Sequence, residues 1–173
     1  MNRELSESAV LVELDGLRRL RTAEGCIELG MYAEADAELG KIDSSCPALS
    51  RVLALKLCSY AGMAKWELMA AVAENLAKHN PNDVQWAIWW AYSVGKGQAI
   101  EAAKAILIRA LQIHPNDPRL HYALCCYESR LQHFKMAKRH LARAVQLDSR
   151  LKLVALNDED LQPLWSEIEQ FDG

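Results

Sequence analysis

The sequence has little of what defines several common protein classes. Its 173 residues include only eight glycines and five prolines and are 51% hydrophobic, so the chain can bury one core and is not expected to be disordered. No apolar run approaches the roughly 18 residues that a membrane-spanning helix needs, and no segment shows the alternating β-branched pattern of a strand. Residues 1–14 carry acidic side chains where a signal peptide has its apolar stretch. We therefore expect a helical, cytoplasmic protein that does not associate with membranes.

The cysteines lack the spacing of a disulfide framework or a zinc site. Their number is odd and no CxxC pair occurs, although one pair is adjacent. Adjacent residues on a helix point about 100° apart and do not readily form a bridge. We predict that all five are reduced thiols, mostly buried, with no bound metal. They are Cys26, Cys46, Cys58, Cys125 and Cys126.

The sequence also lacks a recognisable catalytic motif. Five histidines are present, but none forms an HxxxH pair with an intervening carboxylate or has the context of a catalytic triad. The glycines of segment 94–99 lack the Lys-Ser/Thr that a phosphate-binding loop requires, so this segment is predicted to be a turn. We predict no enzymatic activity, no catalytic residue, no cofactor and no metal ligand.

Charge is small overall but unevenly distributed. The net charge of −3 argues against binding to nucleic acid through bulk charge. Residues 119–152 nevertheless hold eight basic and two acidic residues, whereas residues 153–173 hold six acidic and no basic ones. The basic stretch has two interpretations: a nucleic-acid or phosphate patch, or a solvated helix face partly neutralised by the acidic tail. We favour the second.

A period of 34 residues runs through most of the chain. Pro47, Pro81 and Pro115 are 34 residues apart, and Tyr32, Trp66, Ile100 and Phe134 form a second column with the same spacing. A fixed period of this size is typical of a solenoid, in which each unit is a helical hairpin that buries its apolar face against its neighbours.

Further columns of small and apolar residues follow the same period. In the second half of each unit, three columns follow one another at intervals of four and then three residues, which places them on one face of a helix. Small residues in such columns allow helices to cross closely. The columns are Ala23, Leu57, Ala91 and Cys125; Ala35, Met69, Ala103 and Ala137; Leu39, Ala73, Leu107 and Leu141; and Ile42, Leu76, Ala110 and Ala144.

In its 34-residue helix–turn–helix unit and its order of small, aromatic, small and proline positions, the chain resembles the tetratricopeptide repeat (TPR) family. Residues 120–149, LHYALCCYESRLQHFKMAKRHLARAVQLDS, match the pattern best. The resemblance implies an all-α, right-handed α-solenoid of four hairpins with terminal capping helices. As one domain, it would comprise an N-terminal cap 1–13, repeats 14–47, 48–81, 82–115 and 116–149, and a C-terminal capping helix 150–173, in which Leu161, Leu164, Trp165 and Ile168 form an apolar stripe.

The same resemblance implies a concave groove lined by the first helix of each repeat. An aromatic cluster at Trp86, Trp89, Trp90 and Tyr92 stands out there. Trp86 and Trp90 share the packing face, while Trp89 and Tyr92 are left open between the groove and the core. The predicted groove residues are Arg51, Cys58, Gln85, Ile88, Trp89, Tyr92, Arg119, Tyr122 and Cys126.

We therefore predict a module that binds a peptide or helix of a partner protein in this groove. Two alternatives remain open: a small secretion chaperone of the TPR type, and a self-associating structural subunit. The partner is an unidentified protein or peptide, nucleic acid and membrane are not expected, and a homo-oligomer is left open. We also expect groove residues such as Tyr92 and Tyr122 to be dispensable for stability.

Overall fold

The computed structural model describes residues 2–44, 46–97 and 99–168, with side chains from residue 14 onward. Within those residues the secondary structure is entirely helical, and no strand occurs. The all-α fold class expected from the sequence is thus confirmed. The chain forms two compact units, residues 1–72 and 73–173.

In the first unit, the residues that the structure describes form three helices and the first half of a fourth. These helices are α1 (Asn2–Glu28), α2 (Tyr32–Leu39), α3 (Leu49–Gly62) and α4 (Trp66–His79). Helix α1 runs without a break through the predicted boundary at 13/14, so the N-terminal segment and the first helix of the first hairpin are continuous. The apolar core of this unit consists of Leu20, Ala23, Ala35, Leu39 and Val52.

The second unit continues from α4 through two further hairpins. They comprise α5 (Val84–Lys96), α6 (Ile100–Ile113), α7 (Pro118–Arg130) and α8 (Phe134–Leu147), in which each helix packs against the next. Turns rich in Asn and Asp precede α5 and α7 and cap these helices. Asp83 accepts a hydrogen bond of 3.0 Å from Gln85 N, and Asp117 accepts one of 2.9 Å from Arg119 N.

As far as Ile168, the C-terminal segment consists of three short helical pieces where the sequence predicted a single helix over 150–173. They are α9 (Leu151–Ala155), a 3₁₀ helix (Glu159–Leu164) and α10 (Trp165–Ile168). Residues 169–173 of that prediction lie outside the described residues. Asp158 caps the 3₁₀ helix by accepting from Asp160 N at 3.0 Å, so a new helix begins there and does not extend α9. The predicted apolar stripe is confirmed, because Leu161, Leu164 and Ile168 are buried beside Cys125 of α7.

The 34-residue period of the sequence is also a period of the structure. Helices α2, α4, α6 and α8 begin at the four residues of the predicted bulky column, Tyr32, Trp66, Ile100 and Phe134. Fifteen of the sixteen residues in the small and apolar columns are buried, and Ile42 is half-buried. The columns therefore mark the positions at which helices pack.

The turn within each hairpin repeats as well. Gly30, Ala64 and Gln132, which share one repeat position, have φ angles of 74°, 54° and 61°. At the first turn, Gly30 N donates to Ile27 O at 3.0 Å and Met31 N donates to Cys26 O at 2.8 Å. This pair of bonds defines a Schellman motif, and the equivalent pair occurs at the other two turns. Glycine suits the first of these turns, because it adopts a positive φ at little cost.

Candidate functional site

The predicted groove residues fall into both units. Arg51 and Cys58 lie on α3 in the first unit. In the second unit, α5 carries Gln85, Ile88, Trp89 and Tyr92, and α7 carries Arg119, Tyr122 and Cys126.

Four of these residues meet in one cavity of about 250 Å³, which we call the α5–α7 groove. Ile88 and Tyr92 reach it from α5, and Tyr122 and Cys126 reach it from α7. Helix periodicity explains the meeting, because each pair is four residues apart and so lies on one face. The complete lining is Ile88, Tyr92, Lys96, Tyr122, Ala123, Cys126, Tyr127, Arg130, Asp158 and Asp160.

Tyr127 joins the two walls of the α5–α7 groove. Its hydroxyl donates a hydrogen bond of 2.9 Å to Ala91 O, so α7 is bonded to the backbone of α5. The close approach requires glycine at position 95, where a Cβ atom would lie 2.6 Å from the Tyr127 hydroxyl oxygen. Burial raises the pKa of Tyr127 to about 12, so this hydroxyl remains a donor at neutral pH.

Asp158 closes one end of the α5–α7 groove. Its Oδ2 atom accepts a hydrogen bond of 2.7 Å from the Tyr122 hydroxyl and a longer one of 3.5 Å from Cys126 Sγ. Its Oδ1 atom caps the 3₁₀ helix through Asp160 N. Tyr122 thus fastens the C-terminal segment to α7. The sequence predicted that Tyr122 is dispensable for stability. We now expect its removal to lower stability, because Asp158 would lose its shortest hydrogen bond.

The adjacent thiols of Cys125, which lies in the core, and Cys126, which lines the groove, are both protonated. Burial, reinforced by the charge of Asp158, raises the pKa of Cys126 well above its ordinary value and that of Cys125 to about 12. Burial and the hydrogen bond to Asp158 also raise the pKa of Tyr122. A thiol must ionise to act as a nucleophile, so neither cysteine is set up for covalent chemistry. All five cysteines of the chain are free thiols in the structure.

Charged and aromatic groups share the rim of the groove. Lys96 Nζ lies 5.3 Å from the centre of the Tyr92 ring, and Arg130 Cζ lies 5.7 Å from that of Tyr127. Asp160 supplies a carboxylate whose pKa is raised by burial, with nearby Arg130 acting against the shift. Tyr92 is 42% exposed, so much of its ring remains in contact with solvent. The rim therefore offers an aromatic surface bordered by charges of both signs.

The other predicted residues of α5 and α7 lie outside this lining. Arg119 is held by Asp117 at 2.7 Å and approaches Gln85 Oε1 at 3.5 Å. Trp89 is half-buried, so the alternatives of groove and core remain open for it. The packing role expected of Trp86 is confirmed by its burial, with only 8% of its surface exposed.

The two predicted residues of the first unit have different surroundings. Arg51 forms an ion pair with Glu24 of α1, which holds the guanidinium against its own unit. Cys58 is half-buried, and burial raises the pKa of its thiol.

A polar network at α7 and α8 was not expected from the sequence. Glu128 is only 4% exposed, and its carboxylate pairs with Lys104 Nζ at 3.1 Å and His133 Nδ1 at 2.9 Å. The Nδ1 atoms of His121 and His140 approach each other to 3.2 Å. These partners come from α6, α7, α8 and the turn that precedes α8, and they share no short sequence motif, so only the fold brings them together.

Two kinds of site are not found in the part of the chain that the structure describes. It holds no group of three or more His, Cys, Asp or Glu side chains arranged to bind a metal ion. Nor does any helix within that part have the length and apolar character needed to cross a bilayer.

Comparison with known proteins identifies the fold and no family. No family model matches the chain, and no curated protein matches it significantly. Among solved structures, MamA of MSR-1 has a TM-score of 0.61 at 18% identity, with 86% of this chain and 90% of that chain covered. MamA of AMB-1 has a TM-score of 0.57 at 18% identity, covering 79% of this chain and 76% of that one. A mutant of MamA has a TM-score of 0.60 at 14% identity, with 91% of this chain and 92% of that chain covered. MamA is a helical protein of the TPR type, so these likenesses show a TPR-like fold.

Proposed function

We propose that this chain is a non-enzymatic protein-interaction module that holds a peptide or helix of a partner protein in the α5–α7 groove. The observation that carries the proposal is the partly exposed ring of Tyr92 at a cavity of about 250 Å³ in a TPR-like fold. Tyrosine is well suited to an interface, because it offers a large rigid apolar surface together with a polar end.

The walls of the groove are already ordered, which favours binding. The bond from Tyr127 to Ala91 O links α5 to α7, and the bond from Tyr122 to Asp158 links α7 to the C-terminal segment. Because these side chains are fixed before a partner arrives, little conformational entropy is lost on their side of the interface.

The lining also indicates what kind of segment fits. Ile88 and Ala123 contribute apolar surface inside the groove, while Lys96, Arg130 and Asp160 border it. An apolar side chain of the partner would therefore enter the groove, and polar residues flanking it would meet the charged rim.

The absence of catalysis is part of the same proposal. The phenol and thiol groups of Tyr122, Cys126 and Tyr127 would be nucleophiles only if ionised, and the pKa of each is raised. All three are protonated at neutral pH, so they serve as hydrogen-bond donors and packing surfaces.

Quantitative affinity purification from the native source tests the proposal. Tagged wild-type chain is compared with Tyr92→Ala and with Ile108→Ala, and the captured proteins are quantified by mass spectrometry. Ile108 of α6 is a matched control, since it is also 42% exposed but lies outside the groove lining. Thermal melts of the three proteins show whether folding is preserved.

We expect Tyr92→Ala to lose a specific protein that wild type and Ile108→Ala both retain. Equal capture by all three proteins would contradict the assignment of the groove. If the protein lost with Tyr92→Ala is a second copy of this chain, the groove is a self-association site and the alternative of a structural subunit replaces that of an adaptor.

A further inference from the structure

A second cavity lies beside the outer face of α8. Its volume is about 350 Å³, and it shares no lining residue with the α5–α7 groove. Its walls come from the α6–α7 turn, the first turn of α7 and one face of α8. They consist of Pro115, His121, Met136, Arg139, His140 and Arg143.

The two arginines give this cavity an uncompensated positive charge. Arg139 and Arg143 are one helical turn apart and so share a face of α8. No carboxylate among the described residues forms an ion pair with either, whereas Lys138 of the same helix pairs with Glu167. Arg143 instead donates to the side-chain oxygens of Asn116 at 2.6 Å and Gln146 at 2.7 Å. These neutral acceptors orient the guanidinium without cancelling its charge.

The paired rings of His121 and His140 can take up a proton when a ligand binds in the cavity. His121 Nε2 lies 3.1 Å from Pro115 O, which only accepts, so this nitrogen carries a proton. The two facing Nδ1 atoms, of His121 and His140, are 3.2 Å apart and share a single proton. The pair therefore holds at most one positive charge while both bonds persist.

We propose that this cavity binds a phosphate monoester or inorganic phosphate through Arg139 and Arg143, with the histidine pair as an additional cationic donor. A guanidinium presents parallel N–H groups that match two oxygens of a phosphate, and two guanidiniums together balance the charge of a dianion. The two sources of the ligand are a phosphorylated side chain of a protein and free phosphate, and the experiment below separates them.

Binding would be coupled to the protonation of His140. Burial and the neighbouring His121 lower the pKa of His140, Glu128 of α7 acts against this, and Arg139 of its own helix and Lys104 of α6 lower it further. A bound dianion favours the charged imidazolium and so raises the pKa of His140. By linkage, the phosphate dianion binds more tightly as the pH falls and His140 becomes protonated, until the phosphate itself takes up its second proton at about pH 6 and loses part of its charge.

Proton NMR of the histidine rings in the full-length chain tests the proposal. Inorganic phosphate, a phosphoserine peptide and the same peptide with unmodified serine are titrated at constant ionic strength, from pH 5.5 to 8. We expect saturable shifts of His121 and His140, a raised pKa of His140 in the bound state, and no such response to the unmodified peptide.

Charge-neutralising variants on α8 provide the matched comparison. We expect Arg139→Gln to weaken phosphate binding about tenfold or more, because it removes a charge-assisted fork. Lys135→Gln removes the same charge one turn earlier on α8, at an exposed residue outside the cavity, and we expect a change of less than about twofold, since diffuse surface charge is screened by salt. Arg139→Lys keeps the charge but loses the fork, so its affinity falls between those of wild type and Arg139→Gln.

Each outcome of these titrations either contradicts the proposal or identifies the ligand. Equal weakening by Lys135→Gln and Arg139→Gln would overturn the proposal, because it would show attraction to general surface charge. Shifts that do not saturate, or an unchanged pKa of His140 in excess phosphate, would overturn it too. Binding of inorganic phosphate alone would identify the free anion as the ligand, and tighter binding of the phosphoserine peptide would identify a modified protein.

Discussion

The substitution Gln132→Gly examines the turn that recurs through the hairpins. Gln132 adopts a φ of 61°, which costs an L-residue roughly 1–2 kcal/mol relative to a right-handed conformation. Glycine avoids this cost but loses about 0.5–1 kcal/mol through its greater freedom in the unfolded chain. The side chain of Gln132 is exposed and forms no hydrogen bond among the described residues, so little else is lost. The difference between these two terms predicts that Gln132→Gly raises the free energy of unfolding by about 0.5–1 kcal/mol.

Thermal and urea unfolding of purified protein measure this gain. For a chain of this size, about 1 kcal/mol raises Tm by roughly 2–4 °C. Gln132→Ala is the matched control, because it removes the same polar group and keeps the Cβ atom that causes the strain. Gly30→Ala is the reciprocal change, at a φ of 74° with no atom within 4 Å of the added Cβ, and it should destabilise through backbone strain alone.

The reasoning requires Gln132→Gly to be more stable than Gln132→Ala and Gly30→Ala to be less stable than wild type. If Gln132→Gly unfolds at a lower temperature than Gln132→Ala, the left-handed turn at this position does not exist in solution. If Gly30→Ala leaves Tm unchanged, residue 30 does not hold a left-handed backbone conformation in solution.

Three further changes probe the groove and the cavity beside α8. Gly95→Ala should lose about 1–3 kcal/mol in urea unfolding, because its Cβ atom would lie 2.6 Å from the Tyr127 hydroxyl oxygen; unchanged stability would mean that α5 and α7 are farther apart than described. Tyr122→Phe should lose about 1 kcal/mol and speed proteolysis of the C-terminal segment, since the bond to Asp158 is removed; equal cleavage rates would contradict that role. The pKa of His140 is lowered by burial, so below about pH 6.5 the unfolded chain binds this proton more readily than the folded chain does, and stability falls as pH falls towards the folded pKa. His140→Gln should reduce that slope between pH 7 and 5, and an unchanged slope would exclude His140 as its source.

Periodicity made most of the fold predictable. The bulky column with its 34-residue spacing coincides with the starts of the second helices of the hairpins, and the small-residue columns predicted their packing faces. The left-handed turn at Gly30 agrees with its residue type, because glycine has that conformation at little cost. Residue type does not indicate the same turn at Ala64 and Gln132, where the Schellman hydrogen bonds and the surrounding hairpin outweigh local preference.

Only part of the candidate site could be predicted in the same way. The TPR resemblance predicted Ile88 and Tyr92 on α5 and Tyr122 on α7 as groove residues, and the spacing of four residues between Ile88 and Tyr92 explains why these two share a face. It could not select Asp158, which reaches the α5–α7 groove from a segment 36 residues beyond Tyr122. Whether these residues bind a partner stays a prediction.

The contact between His121 and His140 could not be predicted from the sequence either. His121 and His140 are 19 residues apart on different helices, and their contact follows from the packing of α7 against α8. No spacing rule links them in the sequence. The arginines beside them were visible as part of a basic stretch, but the cavity that they line was not.

Site-specific photo-crosslinking in the native source tests the central claim most directly, because it captures a partner whose identity is unknown. A photoreactive phenylalanine analogue is placed at Tyr92, and in a separate protein at Ile108, the equally exposed position on α6. The proposed function predicts a discrete adduct with a partner polypeptide from position 92 and none from position 108. The absence of an adduct at 92, or equal adducts from both positions, would contradict the claim that the α5–α7 groove is where this protein binds its partner.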